Sequence, residues 1–284
     1  MQTWPEHVER IVKLALEEDI GSGDITTRAI YSGCETGSAT LVSREDGVLA
    51  GLDLAGWILL QVSTEVSFAP AAADGDRLSP GMVIARIEGP LAPILSAERT
   101  MLNFLQRMSG IATRTHRYSS ELASTRTRIL DTRKTAPGHR YLDKMAVRTG
   151  GGTNHRMRLD DRFLIKENHI RLAGGIDKAI RLCRDYGDRN GLQAAIEIEV
   201  TDLQELQQVI DHGGVEYVML DNMSLELMAE AVGMVDGRFL TEASGNITLE
   251  RLRPIAGTGV DFISSGALTH SVKAMDISLL VDIR

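Results

Sequence analysis

The sequence contains little that would place this chain outside a cell or across a membrane. Its two cysteines, Cys34 and Cys183, lie in unrelated contexts without a CxxC or histidine-spaced pattern, so we expect reduced thiols and no structural zinc site. The N-terminus lacks a basic and then apolar run, and no apolar segment approaches the ~20 residues that span a bilayer. We therefore predict a cytoplasmic protein with no membrane partner.

Aromatic residues are also scarce, at 4% of the chain, whereas glycine is plentiful at 27 residues. A net charge of −8 and the absence of a stripe of stacking aromatics disfavour nucleic acid as a partner. The length of 284 residues suffices for one large α/β barrel or for two domains with a substantial core.

The positive charge of the chain is concentrated in one segment. Arg126 to Arg171 holds twelve Lys/Arg against five Asp/Glu, a balance of +7, which leaves −15 for the rest of a chain whose formal charge is −8. Such a concentration inside an acidic protein indicates a site that collects a small, highly charged anion.

The N-terminal part is predicted to combine helices with a small sheet domain. Apolar residues at helical spacing from His7 to Glu18 predict an opening helix, and the run from Gly21 to Asp24 predicts its end. Short β-favouring runs from Gly37 to about Gly89 predict the sheet. A further helix is expected to begin at Ser96, a suitable N-cap.

Beyond residue 126 a unit repeats in which a short apolar strand ends in polar residues and leads into a helical or glycine-rich stretch. Six such units predict βαβ connections and a parallel sheet that closes, or nearly closes, into an α/β barrel. In that architecture the C-terminal strand ends surround the active site, so their polar residues are catalytic candidates. The predicted strands are Arg128–Leu130, Phe163–Ile165, Ala194–Ile196, Tyr217–Leu220, Phe239–Leu240 and Phe262–Ile263.

Cationic candidates lie directly after the first of these strands, shortly before the second and directly after the second. The segments Asp131–Thr135 and Gly150–Arg156 contribute guanidiniums, an ammonium and an imidazole, a set that can grip carboxylates or phosphates. Lys166 directly follows an apolar strand, so we expect its stem between apolar walls, where a ligand charge or a Schiff base is implied. The alternative for any one of these residues is a solvated surface charge.

Acidic and glycine-containing candidates come after the later strands. Glu199 and Asp221 close consecutive strands and would suit Mg²⁺ together with a substrate phosphate, although they could equally neutralise nearby cations. Glu197 is a weaker candidate that shares a face with Glu199 if the strand persists that far. The turns at Ser244-Gly245 and Ser265-Gly266 are of the kind that cradles a phosphate.

Ordered motifs over nearly the whole chain resemble the quinolinate phosphoribosyltransferase family, also called carboxylating nicotinate-nucleotide pyrophosphorylases. The motifs that carry the resemblance are Glu18–Thr27, Glu98–Asn103, Gln106–Thr113, Asp131–Lys134, Pro137-Gly138, Gly150–Arg156, Leu164–Ile170, Leu220–Met223, Glu242–Gly245 and Ser265–His270. The resemblance implies a small N-terminal α/β sandwich domain, residues 1–112, and an incomplete α/β barrel of the type II phosphoribosyltransferase kind, residues 113–271. It leaves open whether the segment 272–284 joins the N-terminal domain.

The resemblance also implies a reaction and its site. The reaction is a Mg²⁺-dependent transfer of phosphoribosyl from phosphoribosyl pyrophosphate to quinolinate, giving nicotinate mononucleotide, pyrophosphate and CO₂ in de novo NAD synthesis. Quinolinate is expected at Arg133, Lys134, His155, Arg156 and Lys166, with Arg99 reaching in from the other subunit of a homodimer; further assembly stays open. Phosphoribosyl pyrophosphate and Mg²⁺ are expected at Lys134, Glu199, Asp221, Ser244, Gly245, Ser265 and Gly266, with Lys134, Glu199 and Asp221 as catalytic residues and Glu199 and Asp221 as metal ligands. Thr132 is expected as a further substrate-binding residue.

Three other functions compete with this one. A transferase of the same fold could act on a different acceptor, as the molybdenum-associated relatives do. A barrel aldolase could use Lys166 as a Schiff-base lysine, although it leaves the excess of arginines unexplained. A non-catalytic anion-binding regulator has no use for carboxylates facing the cations.

Overall fold

The structure, a computed structural model, describes residues 3–31 and 35–282, so that Cys34 lies outside the described residues. The chain forms two compact units. The first comprises the residues up to 116, residues 135–151 and the residues from 268 onward, and the second comprises residues 117–134 and 152–267. Residues 135–151 thus group with the N-terminal part, although the predicted barrel domain spans 113–271.

The elements of the N-terminal part alternate between helices and short strands. They are α1 (Glu6–Ile20), α2 (Ile25–Ile30), β1 (Thr36–Ser43), β2 (Gly47–Val48), α3 (Leu52–Val62), β3 (Ser67–Pro70), β4 (Arg77–Leu78), β5 (Val83–Pro90) and α4 (Leu91–Glu121). Helix α1 buries Val8, Val12 and Leu16, whose four-residue spacing puts them on one side of the helix. The predicted opening helix and its end before Gly21 are confirmed.

Two helices of this part differ from the sequence prediction. Helix α3 lies in a stretch where only strands were predicted, because its apolar residues are buried on most of its sides and show no clear period. Helix α4 begins at Leu91 and not at Ser96. Pro93 is tolerated there because the first turn of a helix does not need its N–H groups.

The remaining elements alternate strand and helix. They are β6 (Arg128–Leu130), α5 (Arg140–Thr149), β7 (Phe163–Ile165), α6 (Glu167–Ala173), α7 (Ile176–Asn190), β8 (Ile196–Val200), α8 (Leu203–His212), β9 (Tyr217–Asp221), α9 (Leu225–Val235), β10 (Leu240–Ser244), a 3₁₀ helix (Leu249–Arg251), α10 (Leu252–Ala256), β11 (Phe262–Ser264), α11 (Ala267–His270) and β12 (Ile277–Asp282).

The N-terminal sheet has four strands in the order β12-β1-β5-β3. Strand β12 pairs antiparallel with β1, from Ser38 opposite Asp282 to Ser43 opposite Ile277. The C-terminal segment therefore completes the N-terminal sheet, a point that the sequence left open.

The second sheet has six parallel strands in the order β6-β11-β10-β9-β8-β7. Neighbours in sequence pair from β7 to β11, and β11 then returns to pair with β6. This is the strand order of an α/β barrel, and within the described residues no ladder joins β6 to β7. The predicted fold class, a small α/β domain together with an incomplete α/β barrel, is confirmed.

Strands β8 and β10 extend further than predicted, so the predicted C-terminal ends of both strands were wrong. Glu197 and Glu199 lie within β8, and Glu242 lies within β10. The glutamates were interpreted as the residues that end each strand. In β8 they instead alternate along the strand with buried apolar residues that face the helices. No helix among the described residues is long and apolar enough to span a bilayer.

Candidate active site

Alternation along the barrel strands puts polar side chains on one face of the sheet in two layers. Asp221 on β9 is in register with Ser244 on β10, and together with Glu199 on β8 these residues approach the carboxyl ends of their strands. Glu197 and Glu242 share that face but lie two residues earlier in β8 and β10. The site therefore has a rim layer and a deeper layer.

Two arginines near the rim have buried atoms without a partner. Arg133 comes shortly after β6. Arg156 comes three residues after Thr153, which pairs with the end of β6 in an isolated parallel bridge. The Nε atoms of Arg133 and Arg156 are buried and have no hydrogen-bond partner within the described part of the chain. Burial lowers the pKa of Arg156, and the positive charge of Arg133 lowers it further. Half-buried guanidiniums within electrostatic reach of each other form a site for an anion.

Lys166 is paired within the chain. Its Nζ donates to Glu199 Oε2 at 2.6 Å, and its side chain is 47% exposed while that of Glu199 is 16% exposed. The predicted enclosure between apolar walls is therefore wrong, because the residue caps α6 at the edge of the sheet and its side chain extends along the rim. An ammonium held by a carboxylate is a poor amine nucleophile, which counts against a Schiff base.

The ends of β9 and β10 are interlocked through amide side chains. Asn222 Nδ2 donates to Asp221 Oδ2 at 2.8 Å, and Asn246 Nδ2 donates to Asn222 Oδ1 at 3.1 Å. Gly245 has φ +97°, and a Cβ atom placed there would lie 2.1 Å from Asn222 Oδ1. Glycine is therefore favoured at 245 by its positive φ, and a Cβ atom there would displace the Asn222 side chain from its present position.

The two predicted phosphate turns lead into different kinds of helix. Ser244-Gly245 leads to the short 3₁₀ helix, whereas Ser265-Gly266 leads directly to α11. Ser265 is buried; its N–H donates to Leu130 O at 3.0 Å, and its Oγ accepts from Ala267 N–H at 3.3 Å. The second turn is therefore tied to the end of β6.

The remaining candidates divide between the units. Lys134 is exposed, and its N–H donates to Thr132 Oγ1 at 3.0 Å, which shapes the loop after β6. Arg99 is exposed on α4 in the first unit. All the other candidate residues belong to the second unit, so Arg99 is the one candidate that the structure places in the first.

His155 occupies the deeper layer and is only 8% exposed. Its Nε2 lies 2.9 Å from Glu197 Oε2 and 3.5 Å from Glu242 Oε2. Its Nδ1 accepts the backbone N–H of Arg156 at 2.8 Å, and its own backbone N–H donates to Asp131 Oδ1 at 2.9 Å. Because a backbone N–H only donates, Nδ1 is an acceptor and the ring proton is assigned to Nε2, which faces the carboxyls.

The pKa values of the two buried glutamates are shifted in opposite directions. Burial raises the pKa of Glu242 well above its ordinary value, and the charge of Glu197 raises it further. Burial also acts to raise the pKa of Glu197, but the adjoining His155 ring and the charge and hydrogen bond of Arg162 outweigh it and lower that pKa. Arg162 Nη1 donates to Glu197 Oε2 at 3.2 Å. The pKa values of the two carboxyls are therefore pushed apart, so that Glu197 gives up its proton before Glu242 does.

Comparison with known protein families matches both parts of the chain. The family model described as quinolinate phosphoribosyl transferase, N-terminal domain, matches residues 24–109, and its C-terminal counterpart matches residues 111–280. This chain belongs to the quinolinate phosphoribosyltransferase family.

Relatives of this family are similar over most of their length. Quinolinate phosphoribosyltransferase (decarboxylating) 2b, mitochondrial, from Nicotiana tabacum is 43% identical over 290 residues, which are 97% of this chain and 82% of that protein. The crystal structure of NadC from Streptococcus pyogenes is 38% identical with a TM-score of 0.94 and covers 100% of this chain and 99% of that one. The structure of the nicotinate-nucleotide pyrophosphorylase from Francisella tularensis is 41% identical with a TM-score of 0.93. It covers 99% of this chain and 98% of that one.

The carboxylates of this family member differ in how well they suit Mg²⁺. His155, Glu197 and Glu242 form the one group of three metal-ligand side chains found among the described residues, with atoms within 4.8 Å of one another. That group is buried and includes an imidazole, whereas Mg²⁺ prefers oxygen ligands and keeps several waters. Glu199 and Asp221 fit better, because they are partly exposed oxygen donors at the ends of adjacent strands.

Sequence reasoning included Glu242 only in the group of polar strand-end residues, with no role of its own, and gave no role to Arg162. Glu242 stands two residues before Ser244, as Glu197 stands two residues before Glu199. That shared parity is the signal that could have placed Glu242 in the barrel interior. Arg162 precedes β7 and gave no such signal.

Proposed function

We propose that this chain transfers phosphoribosyl from phosphoribosyl pyrophosphate to quinolinate, with loss of CO₂, to give nicotinate mononucleotide and pyrophosphate in de novo NAD synthesis. The observation that carries the proposal is the pair Arg133 and Arg156, whose buried Nε atoms lack a partner within the described residues. Membership of a family whose named relatives act on quinolinate supports the same acceptor.

Quinolinate is a planar dicarboxylate, and the proposed clamp of Arg133 and Arg156 matches that chemistry. Two guanidinium forks can each bind a carboxylate through paired N–H groups, which a point charge cannot do. Lys166 adds a third cation at the rim, partly offset by Glu199. His155 adjoins the clamp through its bond to Arg156 and belongs to the same binding set.

The transfer itself requires the site to stabilise opposite charges. The pyridine nitrogen forms a bond to the anomeric carbon of ribose while the bond from that carbon to the pyrophosphate oxygen breaks. Glu199 and Asp221 face the positive charge that develops on the sugar, and Lys134 compensates the departing pyrophosphate. The Ser244-Gly245 and Ser265-Gly266 turns and Thr132 hold the phosphates.

Decarboxylation results from the charge on the ring nitrogen. Once that nitrogen is quaternised, the bond between the adjacent ring carbon and its carboxylate breaks, CO₂ leaves, and the electron pair stays on the ring carbon. That carbon then takes a proton from water. No covalent intermediate with the enzyme is needed, so Lys166 serves as an anion-binding residue.

Glu199 and Asp221 are proposed as the residues that hold Mg²⁺, whose chemistry when bound is to neutralise charge on the substrate phosphates. Arg99 is proposed to complete the partner's site in a homodimer. Its exposure on α4 is consistent with that role. The cytoplasmic location and any assembly beyond a dimer stay predictions.

The test is release of pyrophosphate by the purified protein with phosphoribosyl pyrophosphate and Mg²⁺, comparing quinolinate with nicotinate as acceptor. We expect release with quinolinate alone. Release with neither acceptor would rule out quinolinate as the acceptor but not the fold. It would be the result expected of a transferase of the same fold with a different acceptor, such as the molybdenum-associated relatives. A borohydride-trapped adduct on Lys166 would favour the aldolase instead.

A further inference from the structure

The ends of β9 and β10 hold two asparagines in a backbone conformation that residues with a side chain seldom adopt. Among the described residues, only Asn222, Asp236 and Asn246 combine a side chain with a positive φ, at 54°, 47° and 49°. Asp236 ends α9, where this conformation is ordinary, whereas the two asparagines follow strands at the rim. Such strain beside a candidate site points to a use for the side chains that it places there.

The hydrogen bonds of these two amides run in one direction, toward Asp221. A carboxylate oxygen only accepts, so the Asn222 atom that lies 2.8 Å from Asp221 Oδ2 is the donor Nδ2. The other polar atom of Asn222, Oδ1, accepts from Asn246 Nδ2 at 3.1 Å, which agrees with that assignment. Asn246 is held in turn through its backbone, because Arg251 Nη1 donates to Asn246 O at 2.8 Å. The order of donation is therefore Asn246 to Asn222 to Asp221.

The backbone of Asn222 fixes its side chain relative to Asp221. Its N–H donates to Ser244 O at 2.9 Å, which continues the pairing of β9 with β10 one residue beyond Asp221. Its side chain lies beside Gly245, where an added Cβ atom would be 2.1 Å from Oδ1. An amide that is held at its backbone and at both of its polar atoms turns little. The bond to Oδ2 therefore sets the plane of the Asp221 carboxylate and the direction in which Oδ1 points.

We propose that Asn222 is a positioning residue that orients the Asp221 carboxylate for Mg²⁺ and acts on the metal through Asp221 without binding it. This inference rests on the proposed function, in which Asp221 and Glu199 hold the metal. Carboxylates that bind metals are in turn hydrogen-bonded, and losing such a bond typically costs about 10- to 100-fold in metal affinity. Because the amide of Asn222 is neutral, it orients the carboxylate and leaves its charge available to the metal.

Asn222→Gly is the direct test, because glycine accepts a φ of 54° and the change removes only the side chain. The probe is Mn²⁺, which takes the same oxygen ligands as Mg²⁺ and whose binding is followed by its EPR signal. Phosphoribosyl pyrophosphate and phthalate are present, since phthalate is a dicarboxylate without the ring nitrogen and cannot react. We expect Asn222→Gly to raise the Mn²⁺ Kd about tenfold or more and to leave the phthalate Kd within about twofold of wild type. An unchanged Mn²⁺ Kd would overturn the proposal.

Two control variants place glycine at the other side-chain positions with positive φ. Asp236→Gly, at the end of α9, should change neither Kd. Asn246→Gly keeps the bond from Asn222 to Asp221 and should therefore raise the Mn²⁺ Kd less than Asn222→Gly does. An effect as large as that of Asn222→Gly would overturn the proposal, because the bond to Asp221 would then not be what holds the metal affinity.

Asp221→Ala separates this inference from the proposed function. If Asn222 acts only through Asp221, adding Asn222→Gly to Asp221→Ala should weaken Mn²⁺ binding no further, whereas additive losses would overturn the proposal. Weak binding in Asp221→Ala with wild-type binding in Asn222→Gly would leave the proposed function standing and overturn the inference alone. Wild-type binding in Asp221→Ala would remove the proposed metal role of Asp221 and the inference with it.

The dependence of activity on Mg²⁺ separates positioning from a merely structural role. A weakened metal site is refilled by mass action, so raising Mg²⁺ in proportion to the change in Kd should restore the kcat of Asn222→Gly to within about twofold of wild type. A kcat that stays low at saturating Mg²⁺, together with a lower midpoint of chemical denaturation, would mean that the amide only supports the fold. That result would overturn the proposal.

Discussion

At the scale of single residues, the site combines groups of like charge that ordinary surfaces keep apart. Arg133 and Arg156 are within electrostatic reach of each other, and Glu197 and Glu242 are close enough for one carboxyl to raise the pKa of the other. The first pair has its Nε atoms buried without a partner among the described residues, while the second pair is joined by His155. The arginines therefore suit an external anion, whereas the glutamates are enclosed beside an imidazole.

Arg156→Lys tests whether the fork geometry matters beyond the charge. Lysine keeps the positive charge but offers a point donor in place of paired N–H groups. We expect the quinolinate KM to rise about tenfold or more and the KM for phosphoribosyl pyrophosphate to stay constant, measured by steady-state kinetics. Arg158→Lys, at an exposed ion pair with Asp160, is the matched control and should leave both constants unchanged.

Glu242→Gln tests the protonation of the buried pair. A carboxyl whose pKa is raised on folding binds its proton more tightly in the folded than in the unfolded state, so its stabilising contribution falls as pH rises above the unfolded value. Glutamine stays neutral at every pH. As the pH is raised from about 5 to 8, the unfolding midpoint of the variant should therefore rise relative to that of the wild-type protein. A difference that stays constant across that range would contradict a protonated Glu242.

The residue scale also shows what the sequence could and could not predict about the site. The rim residues were predictable because polar side chains come after short apolar strands in a fixed order. The exposure of Lys166 and the position of the His155 ring beside a buried carboxyl were not, because they depend on Glu199 and Glu197, which come from a strand many residues away. Side-chain pairing across strands is set by register, which sequence spacing alone does not give.

At the scale of elements, the ends of β9 and β10 form one interlocked unit. Asn222 has φ 54° and donates its N–H to Ser244 O at 2.9 Å, while its side chain fills the space beside Gly245. The strand ends that carry Asp221 and Ser244 are thus held together by a backbone hydrogen bond and by an Asn222 side chain that Gly245 leaves room for.

Gly245→Ala should disturb this unit more than backbone strain alone would. The added Cβ would meet Asn222 at 2.1 Å and must displace it from Asp221. Gly237→Ala is the control, because Gly237 also has positive φ, +72°, but has nothing within 4 Å of the added atom. We expect the control to lose roughly 1 kcal/mol of stability and Gly245→Ala to lose more, together with most activity. Equal losses in chemical denaturation would contradict the interlocked turn.

The elements themselves were predictable to different degrees. The opening helix was evident from its four-residue apolar spacing, and the six barrel strands were evident from short apolar runs. Helix α3 was missed because a segment buried on most sides has no polar face to reveal its period. The ends of β8 and β10 were misplaced because glutamates inside a barrel resemble the polar residues that usually end a strand.

At the scale of the whole molecule, the proposed homodimer makes a prediction that a single subunit cannot satisfy. Arg99 lies in the first unit, whereas the other candidate residues lie in the second. If Arg99 serves the partner's site, Arg99→Ala and Lys134→Ala proteins should each be nearly inactive. Unfolding and re-forming the two together should restore about a quarter of wild-type activity, since half of the dimers then hold one intact site.

The control for this mixing experiment uses two variants within the barrel unit. Lys134→Ala mixed with Arg156→Ala should restore no activity beyond either alone, because no arrangement of two such chains assembles an intact barrel site in a variant subunit. Recovery there as well, or no recovery with Arg99→Ala, would show that Arg99 does not act across an interface.

The central claim is that this chain couples phosphoribosyl transfer to the loss of one carboxylate from quinolinate. The most direct measurement supplies quinolinate labelled in the carboxylate beside the ring nitrogen and counts labelled CO₂, pyrophosphate and nicotinate mononucleotide in one reaction. The account predicts equal amounts of all three, and no CO₂ when phosphoribosyl pyrophosphate is omitted. Pyrophosphate released without CO₂, or CO₂ released without phosphoribosyl pyrophosphate, would contradict it.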